Sequence, residues 1–362
     1  MTELTCEQFF DGDVLRGRSR ITLQNDVVVS IEPHEGDVDY QLISPGLVDI
    51  QMNGFDEWDV SVSDEVQLRQ LDECLLQNGT TTWLGTIVTA PLERLSASIA
   101  RLHSIYATQS VAGFAGVHVE GPFLGQSPGA HNPNWIVPIN ADWLSELPHS
   151  VRLVTLAAEQ REASDAITQL LRSNVVTSLG HSQPSRAQFN ACVSAGASLV
   201  THLFNGMSGV HHRNDGLALM ALTTDAVKAG LIADLVHCSP EAINLAFRAK
   251  GENGIVLVSD SVAWKSEWAI HRGVGIVDGS PRLPDGTLAG SSTPLSKCVA
   301  NAVQSAGVPL EQALRAATST PADVMKLDSV GRISVGKPAD LIAFDDALSV
   351  VHTWRRLPSE RA

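Results

Sequence analysis

Residues 175–202 read VVTSLGHSQPSRAQFNACVSAGASLVTH. A β-branched apolar run ends at Gly180 and His181, a helix-length segment AQFNACVSAG follows, and a second apolar run, SLVTHLF, carries His202. Short apolar runs bounded by turn residues read as strands buried on both faces, and a helix between two of them makes the strands parallel neighbours. The same rhythm extends in both directions. Upstream lie PGLVDIQM (45–52), TTTWLGTI (80–87), FAGVHVE (114–120) and RLVTLAAE (152–159); downstream lie AGLIADLVH (229–237) and GIVLVSD (254–260), separated by PEAINLAFRAKG. These eight runs predict an α/β fold, a (β/α)8 TIM-type barrel with helices outside, and an open doubly wound sheet is the alternative. The placement of polar residues favours the barrel. Gln51, Asn53, Glu120, His181, His202, His237 and Asp260 all fall at or just past the C-terminal ends of runs, the face where barrel sites form.

Shorter strand-like runs flank this region: VVVSIEP near the start, GRISVGKPADLIAFD and VVHTWRR near the end. They predict a small β-sandwich domain built from residues 1–45 plus 331–362, with 46–330 as the catalytic barrel. Acids outnumber bases 40 to 25, for a net charge of -15. Such a surface repels phosphate backbones and anionic lipid, so neither nucleic acid nor a membrane is an expected partner. The first residues, MTELTCEQFFDGD, carry acids where a secretory leader needs bases and then an apolar run, and no stretch reaches a membrane-spanning length. A cytoplasmic location is expected. Cys6, Cys74, Cys192, Cys238 and Cys298 are odd in number and never paired as CxxC, so they read as reduced thiols with packing roles.

A closed barrel would bring Glu120, His181 and His202, from the third, fifth and sixth strands, together around its axis. One carboxylate and two imidazoles are the ligand types of a divalent-metal site that leaves a position open for water. A lone histidine at a strand end is more often a hydrogen-bonded structural residue; the three together point to metal. Asp260 follows a run so apolar that an ionised carboxylate there needs a partner, and it could pass a proton between water and a leaving amine. A helix N-cap is its ordinary alternative. His131, in GAHNP, could donate to a carbonyl oxygen, or be a surface histidine. Arg213 and His237 suit a phosphate group, though a solvated arginine and a packed histidine are equally compatible with their positions.

With these residues assembled, the chain resembles the N-acetylglucosamine-6-phosphate deacetylases of the amidohydrolase superfamily. The resemblance runs through SPGLVDIQMNG, NGTTTWLGTIV, GVHVEGPFL, GAHNPNW, TLAAE, TSLGHS, THLFNGM, HRNDGL, ADLVH, VSDSV, LAGSS, ATSTPA and GRISVGKPADLIAFD. HVEGPF followed by THLFNGM is the specific combination; GKPADL is shared widely. The resemblance implies that Glu120, His181 and His202 hold the metal, with Asp260 as catalytic acid and base and His131 polarising the acetamide carbonyl. It further implies that Asn205 and Gly206 contact substrate, that Arg213 and His237 serve the phosphate, and that the enzyme is a homodimer sharing some phosphate contacts. The implied reaction releases acetate from N-acetyl-D-glucosamine 6-phosphate. Gln51 and Asn53 stand where two-metal relatives carry His-x-His, and the fourth run offers no bridging lysine, so one divalent ion, Zn or Fe, is expected. Gln51 could still orient a water, and Glu159 reads as supporting structure. Departures are modest: DSV after the eighth run, LAGSS, and HHR before Asn214, where His211 and His212 could supplement Arg213. The alternatives are a deacetylase for another amino-sugar phosphate such as N-acetylgalactosamine 6-phosphate, a cyclic-amide hydrolase or nucleobase deaminase, and a non-catalytic assembly protein.

Overall fold

The computed structural model describes residues 1–355. Eight parallel strands follow one another around a ring in chain order: Leu47–Met52, Thr80–Val88, Phe114–Glu120, Val151–Leu156, Val176–Leu179, Leu199–Val200, Lys228–Leu231 and Ile255–Leu257. The ring closes just beyond the eighth strand. There the Asp260 N–H donates to the Gln51 carbonyl at 3.0 Å and the Asn53 N–H to the Ser261 carbonyl at 2.9 Å. Closure selects the barrel over the open sheet. Successive side chains of a strand face opposite sides, so each apolar run feeds two cores. Val48, Leu84, Leu153, Leu199 and Val256 fill the interior, whereas Trp83, Ile87, Val154 and Leu179 pack outward among the helices.

The helices begin where local chemistry stops an alternative. Asp64 and Gln67 form a reciprocal capping box at the start of Glu65–Gln77, and Ser185 and Gln188 do the same for Arg186–Ala195, which ends at Gly196 with φ 117°. Directly beneath the site the barrel interior turns polar. His118 lies 3.2 Å from the Thr86 hydroxyl and 2.8 Å from that of Thr155, which continues to Thr201 at 2.8 Å and on to Ser178 at 2.6 Å. Burial pushes His118 down to about 4, so it serves this network as a neutral ring. The seventh run differs from its sequence reading. Its strand stops at Leu231, and His237 lies beyond it in an irregular segment, because the Asp234 carboxylate accepts the N–H groups of Val236 and His237 at 2.9 and 2.8 Å and folds the chain back.

Strands from the two ends of the chain make a second, seven-stranded sheet: Thr2–Phe10, Leu15–Arg16, Ser19–Gln24, Val27–Pro33, Tyr40–Pro45, Leu341–Phe344 and Val350–Trp354. One face has its own core of Leu4, Cys6, Phe9, Ile21, Ile43 and Ala343, and the other sends Phe10, Leu42, Ile342 and Phe344 into the barrel's outer core. Residues 336–339 bond along the edge of Val27–Pro33 before the chain crosses to pair with Tyr40–Pro45, so the sheet curls around its core. Gly46 joins the two sheets, where a Cβ would collide with the Thr81 side chain. Arg355, the last described residue, is clasped to the barrel. Arg355 donates to both Asp72 oxygens, at 2.9 and 2.5 Å, the Trp83 indole N–H donates to the same carboxylate at 2.8 Å, and both paired side chains are only 6% exposed. Removing the arginine leaves a buried carboxylate short of its charge partner. Arg355→Met is therefore expected to cost about 3–5 kcal/mol in urea unfolding, and a loss below 1 kcal/mol would show that the clasp contributes little.

Candidate active site

Glu120 ends the third barrel strand, while His181 and His202 follow the fifth and sixth with left-handed backbones, φ 49° and 30°. Such conformations are costly for residues with a Cβ and concentrate at functional sites. The turns aim three side chains at one point. Glu120 Oε1 lies 3.1 Å from His181 Nε2 and 3.1 Å from His202 Nε2, and the two nitrogens are 3.1 Å apart. All three residues are buried. Both rings are held from behind: His181 Nδ1 meets the Ser127 carbonyl at 3.0 Å and His202 Nδ1 the Asn205 carbonyl at 3.1 Å. In its neutral form each imidazole has one N–H, which Nδ1 uses on a carbonyl, so Nε2 can offer a lone pair beside a carboxylate oxygen.

Three lone pairs converging in a buried place repel unless a positive charge joins them. Bonds of about 2.0–2.2 Å to a shared ion would space its ligand atoms about 2.9–3.5 Å apart, which fits these donors. Burial alone would lower His202; the Glu120 hydrogen bond and the charges of Glu120 and Asp260 outweigh it and raise the ring to about 9, so the point attracts positive charge. The same chemistry supports a divalent metal. His131 also approaches. Its Nε2 lies 3.1 Å from His181 Nε2, and a second possible ligand set, Glu120, His131 and His181, has its atoms within 4.8 Å of one another. Which part His131 takes depends on Thr89, whose hydroxyl lies 2.8 Å from His131 Nδ1 and 3.2 Å from the Glu120 carbonyl. If the hydroxyl proton goes to the ring, Nε2–H faces the cavity as a donor; if it goes to the carbonyl, Nε2 becomes a further lone pair. Burial, then the charge of His181, pushes His131 down to about 3, so it is a neutral ring either way.

Asp260 stands beside this cluster with φ 47°. Its Oδ1 accepts Asn53 Nδ2 at 2.8 Å and Gln51 Nε2 at 3.1 Å, and Gln51 Nε2 also reaches Glu120 Oε1 at 3.2 Å. The two amides at the first strand therefore orient the carboxylates. Burial, then repulsion from Glu120, raises Asp260 to about 7. Glu159 supports the floor from behind: it accepts the N–H groups of Gln126 and Gln183 at 3.1 and 2.8 Å and the Ser182 hydroxyl.

The cluster lies at the base of a cavity of about 430 Å³, to which His131, Asn205, Gly206 and His237 contribute. Gly206 has φ 57°, and a Cβ there would sit 2.8 Å from His181 Nδ1. His237 Nδ1 is tied to Asp234 at 2.7 Å. Arg213 does not line the cavity of its own chain and lies on an exposed segment next to His211 and His212. Sequence reading missed the flap over the cavity, residues 264–290, with its short helix Glu267–His271 and hairpin Gly275–Val277 and Ser280–Arg282. Trp268, Arg272 and Arg282 from this flap line the cavity. No motif marks them, and only the topology places them over the barrel mouth. Thr89 was missed for the same reason.

The chain is 33% identical over 343 residues to N-acetylglucosamine-6-phosphate deacetylase of Bos taurus, covering 86% of this chain and 82% of the relative. It is 32% identical to N-acetylgalactosamine-6-phosphate deacetylase of Escherichia coli O157:H7, covering 97% and 95%. The structure of N-acetylglucosamine-6-phosphate deacetylase from Thermotoga maritima is similar with a TM-score of 0.89, 30% identity and 98% of each chain covered. An enzyme of the same name from Mycobacterium smegmatis gives a TM-score of 0.90 at 26% identity, with 99% of each chain covered. The model of the Amidohydrolase family matches residues 42–358. With that match and the fold and site geometry above, the chain belongs to the amidohydrolase family.

Proposed function

We propose that the chain hydrolyses the acetamide of N-acetyl-D-glucosamine 6-phosphate, giving D-glucosamine 6-phosphate and acetate. The observation that carries this reading is the meeting of Glu120, His181 and His202 at one buried point with Asp260 beside them. The named substrate is supported by the relatives above and by the Mycobacterium smegmatis enzyme solved as an aspartate-to-alanine variant in complex with N-acetyl-D-glucosamine-6-phosphate. Glu120, His181 and His202 would hold one ion, Zn or Fe, which supplies Lewis acidity and activates water. Asp260 takes the proton of the attacking water and returns it to the amino group as the C–N bond breaks. His131, with Nε2–H toward the cavity, donates to the acetamide oxygen as charge builds there. Asn205, Gly206 and His237 bound the sugar phosphate. Gln51 and Asn53 orient Asp260. Arg213, outside its own cavity, would serve the neighbouring subunit of a homodimer, and a cytoplasmic location suits a phosphorylated substrate. Among the described residues no helix is long and apolar enough to cross a membrane.

Asp260→Asn keeps shape but cannot take a proton, so kcat should fall by about 10²–10⁴ while metal content stays at the wild-type level. Activity near wild type would remove Asp260 from the proton path. As a base, Asp260 must be ionised, so kcat/KM should fall as pH drops through its folded value. A bound cation pulls that value below the value of about 7 set by burial and Glu120; an acidic limb centred below pH 7 is expected, and a rate that rises toward acid would contradict the assignment. Chelation should abolish acetate release and Zn²⁺ or Fe²⁺ restore it at about one ion per chain. In the same assay N-acetylglucosamine 6-phosphate is expected to exceed its galactosamine epimer in kcat/KM; the reverse order would reassign the substrate.

A further inference from the structure

We propose that Thr89 is a positioning residue: its hydroxyl donates to His131 Nδ1 and so fixes that ring with its N–H on Nε2, facing the cavity. The inference rests on the functional reading above, in which His131 donates to the acetamide oxygen, and names the group that makes it a donor. Thr89 follows directly on the second barrel strand, Thr80–Val88, and is buried. Its hydroxyl lies 2.8 Å from His131 Nδ1 and 3.2 Å from the Glu120 carbonyl. Room for it is made just past the third strand, where a Cβ on Gly121 would collide with the hydroxyl oxygen.

Burial and the neighbouring His181 keep His131 neutral, so the ring has one N–H to place. Its two ends meet different demands. Nε2 lies 3.1 Å from His181 Nε2, and His181 Nδ1 holds its own N–H against the Ser127 carbonyl at 3.0 Å. Two bare nitrogens would face each other if His131 carried its proton on Nδ1. At the other end the hydroxyl can give or take a proton, and its second acceptor is a poor one: 3.2 Å exceeds the length of about 2.5–3.0 Å of an ordinary O–H···O bond. Turning the hydroxyl from the carbonyl to the ring therefore costs little, and both ends agree on Nε2–H. The main chain keeps the ring in place, since the His131 N–H donates to the Pro128 carbonyl at 3.1 Å and Arg272 of the flap holds the Ala130 carbonyl at 3.1 Å. Thr89 matters most when His181 has given its lone pair to a cation. The repulsion that favoured Nε2–H is then gone, and His131 Nε2 is drawn to offer a lone pair to the same charge, as its place in the set Glu120, His131 and His181 within 4.8 Å allows. The hydroxyl is the group left to oppose this. A threonine kept only for packing would serve as well without its oxygen.

The test uses the Zn²⁺-loaded enzyme as Thr89→Val, which keeps the shape without the hydroxyl, and Thr89→Ser, which keeps the hydroxyl without the methyl. In the Val variant kcat for N-acetylglucosamine 6-phosphate should fall about 10–100-fold, short of the roughly 10²–10³ that complete removal of an oxyanion donor costs. KM should stay within about twofold, and the Ser variant should recover kcat to within about threefold of wild type. The N-trifluoroacetyl analogue has a carbonyl already poor in electrons and needs less help from a donor, so its penalty in the Val variant should be about fivefold smaller. Histidine ¹⁵N NMR reads the tautomer itself, with the His131 signals assigned by their loss in His131→Asn. Wild type should show a protonated Nε2 and a bare Nδ1, and Thr89→Val a shift of the proton toward Nδ1. The inference is overturned by a Val variant with wild-type kcat, by a Ser variant as slow as Val, by equal penalties on the two substrates, or by a wild-type ring protonated on Nδ1. Should Thr89→Val fail to fold, Thr89→Ala decides on the same readouts. If wild type releases no acetate from the phosphosugar, the functional reading fails instead, and the NMR comparison alone decides Thr89: a proton that moves when the hydroxyl is lost supports the inference, and one that stays overturns it.

Discussion

One carboxylate oxygen and two ring nitrogens are brought within 3.1 Å of one another at a buried point. Everything around them is arranged to hold that unfavourable meeting. Two carbonyls take the Nδ1 protons, Gln51 steadies the carboxylate, and Glu159 ties the loops behind His181. A polar cluster this deep costs several kcal/mol unless its charge is met, so the fold is completed chemically by a cation. The strained backbones of His181, His202 and Asp260 belong to the same account: a left-handed residue just past a strand end turns its side chain toward the common point.

The barrel and the base of its site were legible in the sequence because both depend on local pattern. β-Branched runs such as VVTSLGH and FAGVHVE announce strands buried on both faces, and a polar residue ending such a run is conspicuous against it. Glu120, His181, His202 and Asp260 stood out in this way. His237 was also noticed, but its run overstated the strand: LIADLVH looks continuous, and only the Asp234 side chain, bonding forward to Val236 and His237, ends the strand early. Side-chain capture of backbone donors has no apolar rhythm to betray it.

The flap was illegible for a different reason. Residues 264–290 carry ordinary turn chemistry, and their significance comes from where the ring closure deposits them, over a mouth whose first strand lies more than two hundred residues earlier. Arg272 meets Ala130 across 142 residues of sequence. Likewise the curl of the terminal sheet depends on residues 336–339 finding the edge of Val27–Pro33, a pairing no local window contains. Arg213 illustrates the converse: a conspicuous cation in sequence, it lies outside the cavity of its own chain.

The seam of the barrel carries a further meaning. Asp260 is bonded through its backbone to Gln51 and through its side chain to Gln51 and Asn53, so the contacts that join the last strand to the first also aim the carboxylate. A chain emerging from the ribosome presents Glu120, His181 and His202 long before Asp260, and on the function proposed above these would stand without their proton carrier until the eighth strand docks. On that reading acetate release would require the ring to have shut.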